Sequence, residues 1–218
     1  MDYADGQWAE VSYDLAGNRT GVVGSLGSET ISIGQTFDEL NRVDTITNGS
    51  LQRAISYTYT PNGHKGSTTR KNLTDGSQKA TNYTWNSMNR LSHILPWTGH
   101  SISYVYNPDG SRDTVQLPNG VTKSHLYDTL GRLTDMSYRN GSNEQLAFFK
   151  YTLDDAGNRT VMEDHEGLST FLYDRLNRLT EASYPDGTWE KFAMDLSGNR
   201  LQHEDQNGVT HYHLDGGE

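Results

Sequence analysis

The chain has 218 residues, a formal charge of -10 and 33% hydrophobic residues; that is well below the roughly 45–50% of ordinary globular domains on a slightly broader apolar count, and argues against a thick two-layer core. The acidity repels phosphate backbones and no basic stripe interrupts it, so nucleic acid is not an expected partner. There is no apolar run of about 18 residues and no charged-then-apolar amino terminus, so neither a membrane span nor a signal peptide is expected in this chain, and zero cysteines rule out a disulfide framework and thiolate metal ligands.

In chain order, one short phrase returns at nearly even spacing. It reads YDLAGNRT from Tyr13, FDELNRV from Phe37, YTPNGHKG from Tyr59, WNSMNRL from Trp85, YNPDGSRD from Tyr106, YDTLGRL from Tyr127, LDDAGNRT from Leu153, YDRLNRL from Tyr173 and MDLSGNRL from Met194. A tenth, degenerate copy, LDGGE, starts at Leu214. Successive steps are 24, 22, 26, 21, 21, 26, 20, 21 and 20 residues. Two subtypes alternate strictly. In one the basic residue lies six after the lead, as Arg19, Lys65, Arg112, Arg159 and Arg200; in the other it lies five after, as Arg42, Arg90, Arg132 and Arg178. The true period is therefore a pair of units, 41 to 48 residues long. Register holds beyond the motif, since DGTWEKFAMDLSGNR from Asp186 aligns without gaps on DGQWAEVSYDLAGNR from Asp5, and GVTHYHLD from Gly208 on GLSTFLYD from Gly167.

Each unit has the grammar of a β-hairpin. ISYTY at 55–59 and ISYVY at 102–106 place Ile, Tyr and Tyr on alternate positions and hence on one strand face, and the same offset recurs as Tyr83 and Trp85, Tyr151 and Leu153, Phe171 and Tyr173, Phe192 and Met194. Turn dipeptides follow on schedule, at Asn62-Gly63, Asp75-Gly76, Asp109-Gly110, Asn119-Gly120, Asn140-Gly141, Asp186-Gly187 and Asn207-Gly208, where glycine takes positive φ at little cost. The acid or amide after each lead (Asp14, Asp38, Asn86, Asn107, Asp128, Asp154, Asp174, Asp195, Asp215) is placed to accept backbone N–H bonds two residues on, with Gly17 and its equivalents completing the turn. The basic position holds nine of the 18 positive charges, eight of them Arg, whose planar fork can bond carboxylates or carbonyls or lie on a ring. The pairs Leu40 and Val43, Met88 and Leu91, Leu130 and Leu133, Leu176 and Leu179 are expected to fill the return strands. The whole of 1–218 is expected to be one array of about ten such hairpin units.

The alternating Y-D-x-x-G-N-R and Y-D-x-L-[NG]-R-L phrases resemble the YD repeats of bacterial Rhs polymorphic toxins, of Tc toxin C subunits and of the teneurin shell. The resemblance runs from about Asp5 to the last residue. It implies an all-β fold, a curved or spiralling antiparallel β-strip that forms a segment of a hollow shell. It also implies a structural role, enclosing or displaying a toxin or effector domain of a larger secreted or cell-surface bacterial protein, with the rest of that polypeptide as partner. No D-P-x-G-[LW]-like sequence marks the end of such a shell here.

Catalytic readings find little support in the residues. The eight histidines include no H-E-x-x-H spacing, and an aspartate repeated in every unit is the opposite of a singular acid pair. His211 and His213, with His203 and Asp215, have the residue types of a divalent metal site, yet aligned copies hold Thr170 and Leu172 or Ser124 and Leu126 there, so ordinary strand substitution accounts for them. No enzyme activity and no cofactor are expected. The sequons Asn18-Arg19-Thr20 and Asn158-Arg159-Thr160 lie inside the turn motif. The rival reading is a carbohydrate-binding or adhesive surface built on exposed aromatics such as Trp97 and Trp189. Terminal hairpins are expected to leave unpaired strand edges and so to favour edge-to-edge self-association.

Overall fold

The computed structural model describes residues 7–212 of the chain; Asp5, His213, Leu214 and Asp215 of the sequence argument lie outside them. Two compact units divide the chain, Met1–Tyr104 and Val105–Glu218. The first contains β1 (Trp8–Tyr13), β2 (Arg19–Leu26), β3 (Glu29–Phe37), β4 (Val43–Asn48), β5 (Arg53–Tyr59), β6 (Lys65–Asn72), β7 (Gln78–Trp85), β8 (Leu91–Leu95) and the start of β9 (Ile102–Tyr106). The second contains β10 (Arg112–Gln116), β11 (Thr122–Tyr127), β12 (Leu133–Arg139), β13 (Gln145–Leu153), β14 (Arg159–Asp164), β15 (Gly167–Tyr173), β16 (Leu179–Ser183), β17 (Trp189–Met194), β18 (Arg200–Asp205) and β19 (Gly208–His211). The fold is all-β, with no helix among the described residues.

Within each unit every strand pairs antiparallel with the next in sequence, the simplest topology a run of hairpins can take. The repeat reads directly onto it. Each of the nine leads from Tyr13 to Met194 is the last residue of an odd-numbered strand. The ladder slips by one residue just before the lead in the hairpins that begin at Tyr13, Phe37, Tyr59, Trp85, Tyr127, Leu153, Tyr173 and Met194, so that the lead faces the residue six further on. That residue is the basic one in the first subtype (Tyr13 opposite Arg19, Leu153 opposite Arg159) and Val or Leu in the second (Phe37 opposite Val43, Tyr173 opposite Leu179). The two subtypes thus share one loop length.

One expectation about packing is corrected. Leu40, Met88, Leu130 and Leu176 are 68%, 68%, 74% and 64% exposed; they stand at the turn tips, three residues past the lead, and only Val43, Leu91, Leu133 and Leu179 enter the return strands. A second correction concerns Asn140-Gly141. Six of the seven expected turn glycines do adopt positive φ, but here the left-handed residue is Asn143 (φ 65°).

Burial is thin. Among the described side chains only Val115, Ala182, His125 and Ser169 are buried, and no large side chain is completely so. Aromatic rings along β5, β7, β13 and β15 are half-buried, because a single sheet layer offers no second layer to cover them. Stability must come chiefly from backbone ladders, cross-strand pairs and the turns.

Candidate functional site: the turn ladder

The repeated chemistry gathers at the turns that follow the leads. After the lead, the N–H of the next residue donates to the carbonyl five past the lead, and the N–H four past the lead donates back to the carbonyl one past it; Asp14 with Asn18 and Gly17, and Asp38 with Arg42 and Asn41, show the pattern at 2.9–3.1 Å. The residue four past the lead is left-handed in every such turn: Gly17, Asn41, Gly63, Asn89, Gly110, Gly131, Gly157, Asn177 and Gly198. Glycine or asparagine is the cheap choice there, which is why the motif alternates between those two types.

The aspartate one past the lead closes the turn. Asp38 Oδ1 accepts the N–H groups of Leu40 and Arg42 at 2.9 Å each, Asp128 Oδ1 those of Leu130 and Arg132, and Asp174 Oδ1 those of Leu176 and Arg178. Asn86 Oδ1 does the same for Met88 and Arg90. The second carboxylate oxygen is clasped by the side chain five past the lead. In the second subtype this is arginine, with Nε of Arg42, Arg132 and Arg178 donating at 2.7 Å. In the first subtype it is asparagine, with Nδ2 of Asn18, Asn158 and Asn199 donating at 2.9 Å to Asp14, Asp154 and Asp195.

The sequence marks Asn18 and Asn158 only as sequons and Asn199 not at all, although Gly-Asn-Arg recurs in three copies. Asparagine takes over the arginine's clasp after Tyr13, Leu153 and Met194, and in the first subtype as a whole, with His64 at that position after Tyr59, the basic residue stands one place on, at the start of the return strand. There it lies over the aromatic ring two residues before its lead: Lys65 over Tyr57 at 4.8 Å, Arg159 over Tyr151 at 4.3 Å, Arg200 over Phe192 at 4.7 Å.

All six clasped aspartates ionise below the ordinary carboxylate range. For Asp14, Asp154 and Asp195 the leading cause is the asparagine side chain, for Asp38 the Arg42 side chain, and for Asp128 and Asp174 the backbone N–H of Arg132 and Arg178.

Successive turns are tied together. Asn18 Nδ2 donates to Asn41 Oδ1 at 2.9 Å, Asn62 Nδ2 to Asn89 Oδ1 at 3.0 Å and Asn158 Nδ2 to Asn177 Oδ1 at 2.8 Å. Going from second subtype to first, Arg132 Nη1 donates to the Asp154 carbonyl at 2.8 Å and Arg178 Nη1 to that of Asp195 at 2.7 Å, while the Arg42 guanidinium lies 4.3 Å over the Tyr59 ring. The leads reach the other way. Tyr59 Oη donates to the Val43 carbonyl, Trp85 Nε1 to that of Lys65, Tyr127 Oη to that of Arg112 and Tyr173 Oη to that of Arg159, at 2.7–3.0 Å. In each case the acceptor opens the return strand of the preceding hairpin.

Of the remaining sequence candidates, Tyr106 and Arg112 sit at the end of β9 and the start of β10, and Arg90 immediately precedes β8. The described residues contain no group of three or more His, Asp or Glu able to hold a metal ion. His203 instead lies 3.2 Å from Glu190 and stacks on Phe192, and Tyr184 Oη donates to the same glutamate at 2.9 Å, while His211 is exposed. Trp97 and Trp189 each carry a cation on one face, Lys79 at 4.1 Å and Lys191 at 5.2 Å.

Comparison with known proteins agrees with this geometry. Residues 150–188, from the end of β13 to the turn before β17, match the RHS repeat family. No curated protein matches the sequence. Among solved structures, TcdB2–TccC3 without its hypervariable C-terminal region is 13% identical with a TM-score of 0.62, covering 99% of this chain and 15% of that one. The TcdB2–TccC3–Cdc42 complex is 14% identical with a TM-score of 0.58 over 96% of this chain and 15% of that chain. A Photorhabdus luminescens Tc holotoxin pore is 14% identical, with a TM-score of 0.58, over 97% of this chain and 14% of that one. The shared property is the fold, and this chain spans about one seventh of the length of the chains it matches.

Proposed function

Because this chain is built of YD/Rhs repeats, we infer that it is a wall segment of a larger shell, one continuous array of about ten hairpin units that encloses or displays a toxin or effector domain of its own polypeptide. The observation that carries this reading is the turn ladder. The inter-turn bonds and the lead side chains join a hairpin to its neighbours, while each clasp closes its own turn in the shape that presents those groups. A sheet with almost no buried core gains its stability from such continuity, as stacked repeats do. The role is structural and non-enzymatic, and the partner is the remainder of the polypeptide, exported to the cell exterior with it. Unpaired strands at the two ends of an isolated array favour edge-to-edge association.

The adhesive reading gains nothing from the geometry, since the two tryptophans offered for it already hold a lysine on one ring face.

The test is limited proteolysis of the full parent protein beside its separated carboxy-terminal segment, with particles imaged by electron microscopy. Hollow particles in which that segment resists protease are expected. A segment cleaved as fast in the parent as when free overturns the enclosing role.

A further inference from the structure

The chain holds five Asn-Gly pairs, at Asn48, Asn62, Asn119, Asn140 and Asn207. In four of them folding ties up the glycine nitrogen: Gly49 N–H donates to the Ser32 carbonyl at 2.8 Å, Gly63 to that of Thr60 at 2.9 Å, Gly120 to that of Leu117 at 3.0 Å, and Gly208 to Asp205 Oδ1 at 3.2 Å. Gly141 differs. Its N–H has no hydrogen-bond partner among the described residues, it is exposed, and nothing lies within 4 Å of where a Cβ would be.

The preceding amide is held in an unusual way. The loop from Asn140 to Glu144 copies the clasped turn between β12 and β13, at the other ends of the strands: Asn140 N–H donates to the Glu144 carbonyl, Asn143 N–H returns to that of Asn140, and the ladder slips between Tyr138 and Arg139. Asn140 takes the aspartate's place, so its Oδ1 accepts the N–H groups of Ser142 at 3.0 Å and Glu144 at 2.9 Å. Two backbone donors on a carbonyl oxygen polarise it and hold the negative charge that forms there when a nucleophile adds, as an oxyanion hole does.

We propose that Asn140 is a site of spontaneous deamidation in the folded protein. The Gly141 nitrogen, losing its proton to solvent base, bonds to Cγ of Asn140; the Cγ–Nδ2 bond breaks and ammonia leaves, giving a five-membered imide. Water then opens either carbon–nitrogen bond of the imide, leaving aspartate or isoaspartate at position 140. No oxidant or reductant takes part. Folding suppresses this reaction at the other four pairs and leaves it open at this one.

The product does not suit its turn. Asp38, Asp128 and Asp174 face an arginine at this point of the loop, whereas Asn140 Nδ2 donates to Glu144 Oε2 at 2.6 Å. Deamidation replaces that bond with two carboxylates in contact, which repel. The β12–β13 connection therefore loosens as the protein ages and becomes open to proteolysis.

The intact chain, incubated at mildly alkaline pH, is digested with trypsin and the conversion at each of the five asparagines followed by mass spectrometry; cleavage after Arg139 and Lys150 isolates the relevant peptide. In the folded chain Asn140 converts faster than each of the other four on the order of tenfold, about what breaking one backbone hydrogen bond costs in rate, and in denaturant the five rates converge. Conversion at Asn140 slowed by folding as much as at Asn62 and Asn119 overturns the proposal. The consequence is tested separately with Asn140→Asp, which is nicked faster than the unaged parent in the 139–145 loop. Adding Glu144→Arg restores the aspartate–arginine clasp and resistance. An Asn140→Asp chain as resistant as the parent refutes the repulsion.

Discussion

Replacing Tyr173 with phenylalanine removes one oxygen and leaves the ring, and so measures what the lead hydroxyl contributes to joining two hairpins. The lost bond is the 3.0 Å contact from Tyr173 Oη to the Arg159 carbonyl. A neutral hydrogen bond of this kind nets about 0.5–1.5 kcal/mol, which in a chain of this size lowers the melting temperature by a few degrees. Tyr173→Ala also strips the ring; full burial of an aromatic ring corresponds to roughly 3–5 kcal/mol, and this one is half-buried, so about 2–4 kcal/mol in total is expected with the hydroxyl included. Tyr13 supplies the control. It is 64% exposed and its hydroxyl has no partner among the described residues, so Tyr13→Phe should be silent within about 0.5 kcal/mol. Because stacked repeats open in segments, melting should be read together with hydrogen exchange of β14 and β15. If Tyr173→Phe melts with the parent and leaves exchange of those strands unchanged, or if Tyr13→Phe costs as much, the lead hydroxyl does not join hairpins.

Arg178→Ala, which loses both the Asp174 clasp and the Asp195 carbonyl, should lower the melting temperature by several degrees, while Arg175→Ala, at an exposed turn position, should leave it within about a degree. Arg178→Lys should recover only part of the loss, because one ammonium cannot span both acceptors; full recovery would show that charge alone matters. Ala182 is 0% exposed, so Ala182→Leu should cost about 1–3 kcal/mol by overpacking in urea unfolding, while Leu176→Ser at a turn tip should stay within about 0.5 kcal/mol. The clasped aspartates have folded pKa values below their unfolded ones, so their stabilisation is complete above the unfolded value near 4 and lost as pH falls through the folded values. Melting temperature should therefore fall steeply below about pH 4, and a flat profile between pH 4 and pH 2 would refute the clasp as a source of stability.

Periodicity made the hairpins legible in the sequence, down to the strand end. An aromatic at every second position followed by an acid and a glycine admits few other readings, and leads from Tyr13 to Met194 all close a strand. Residues inside the loop were less legible, because their roles depend on loop length. Leu40 and Leu176 look like strand residues because each lies three residues before a second apolar residue, Val43 or Leu179, but the loop runs to the fifth residue after the lead and leaves them at its tip. Asn140-Gly141 misleads for a related reason: the pair usually puts the left-handed residue on glycine, yet here the asparagine accepts bonds from Ser142 and Glu144 as a clasped aspartate would, which moves positive φ to Asn143. The clasp by Asn18, Asn158 and Asn199 left a signal in the recurring Gly-Asn-Arg, but nothing local says that asparagine in one subtype and arginine in the other, both five past the lead, reach the same oxygen.

The alternation of subtypes follows from how turns are joined. Where a first-subtype turn carries asparagine in the clasp, it donates to the side-chain oxygen of the left-handed asparagine in the next turn, as Asn18 does to Asn41 and Asn158 to Asn177. A second-subtype turn donates from its arginine to a backbone carbonyl in the next, as Arg178 does to Asp195. The arginine link accepts either kind of neighbour, whereas the asparagine link fails against a turn whose left-handed residue is glycine. Deleting residues 173–193, one unit, would place the Asn158 turn beside Gly198, where no side-chain oxygen waits. Deleting 153–193, a pair, would set Arg132 beside the Asp195 carbonyl and keep the link now made to Asp154. The pair deletion should therefore melt higher than the single deletion although it removes more sheet. The reverse order would mean that hairpins stack without regard to subtype, and that the alternation has some other cause.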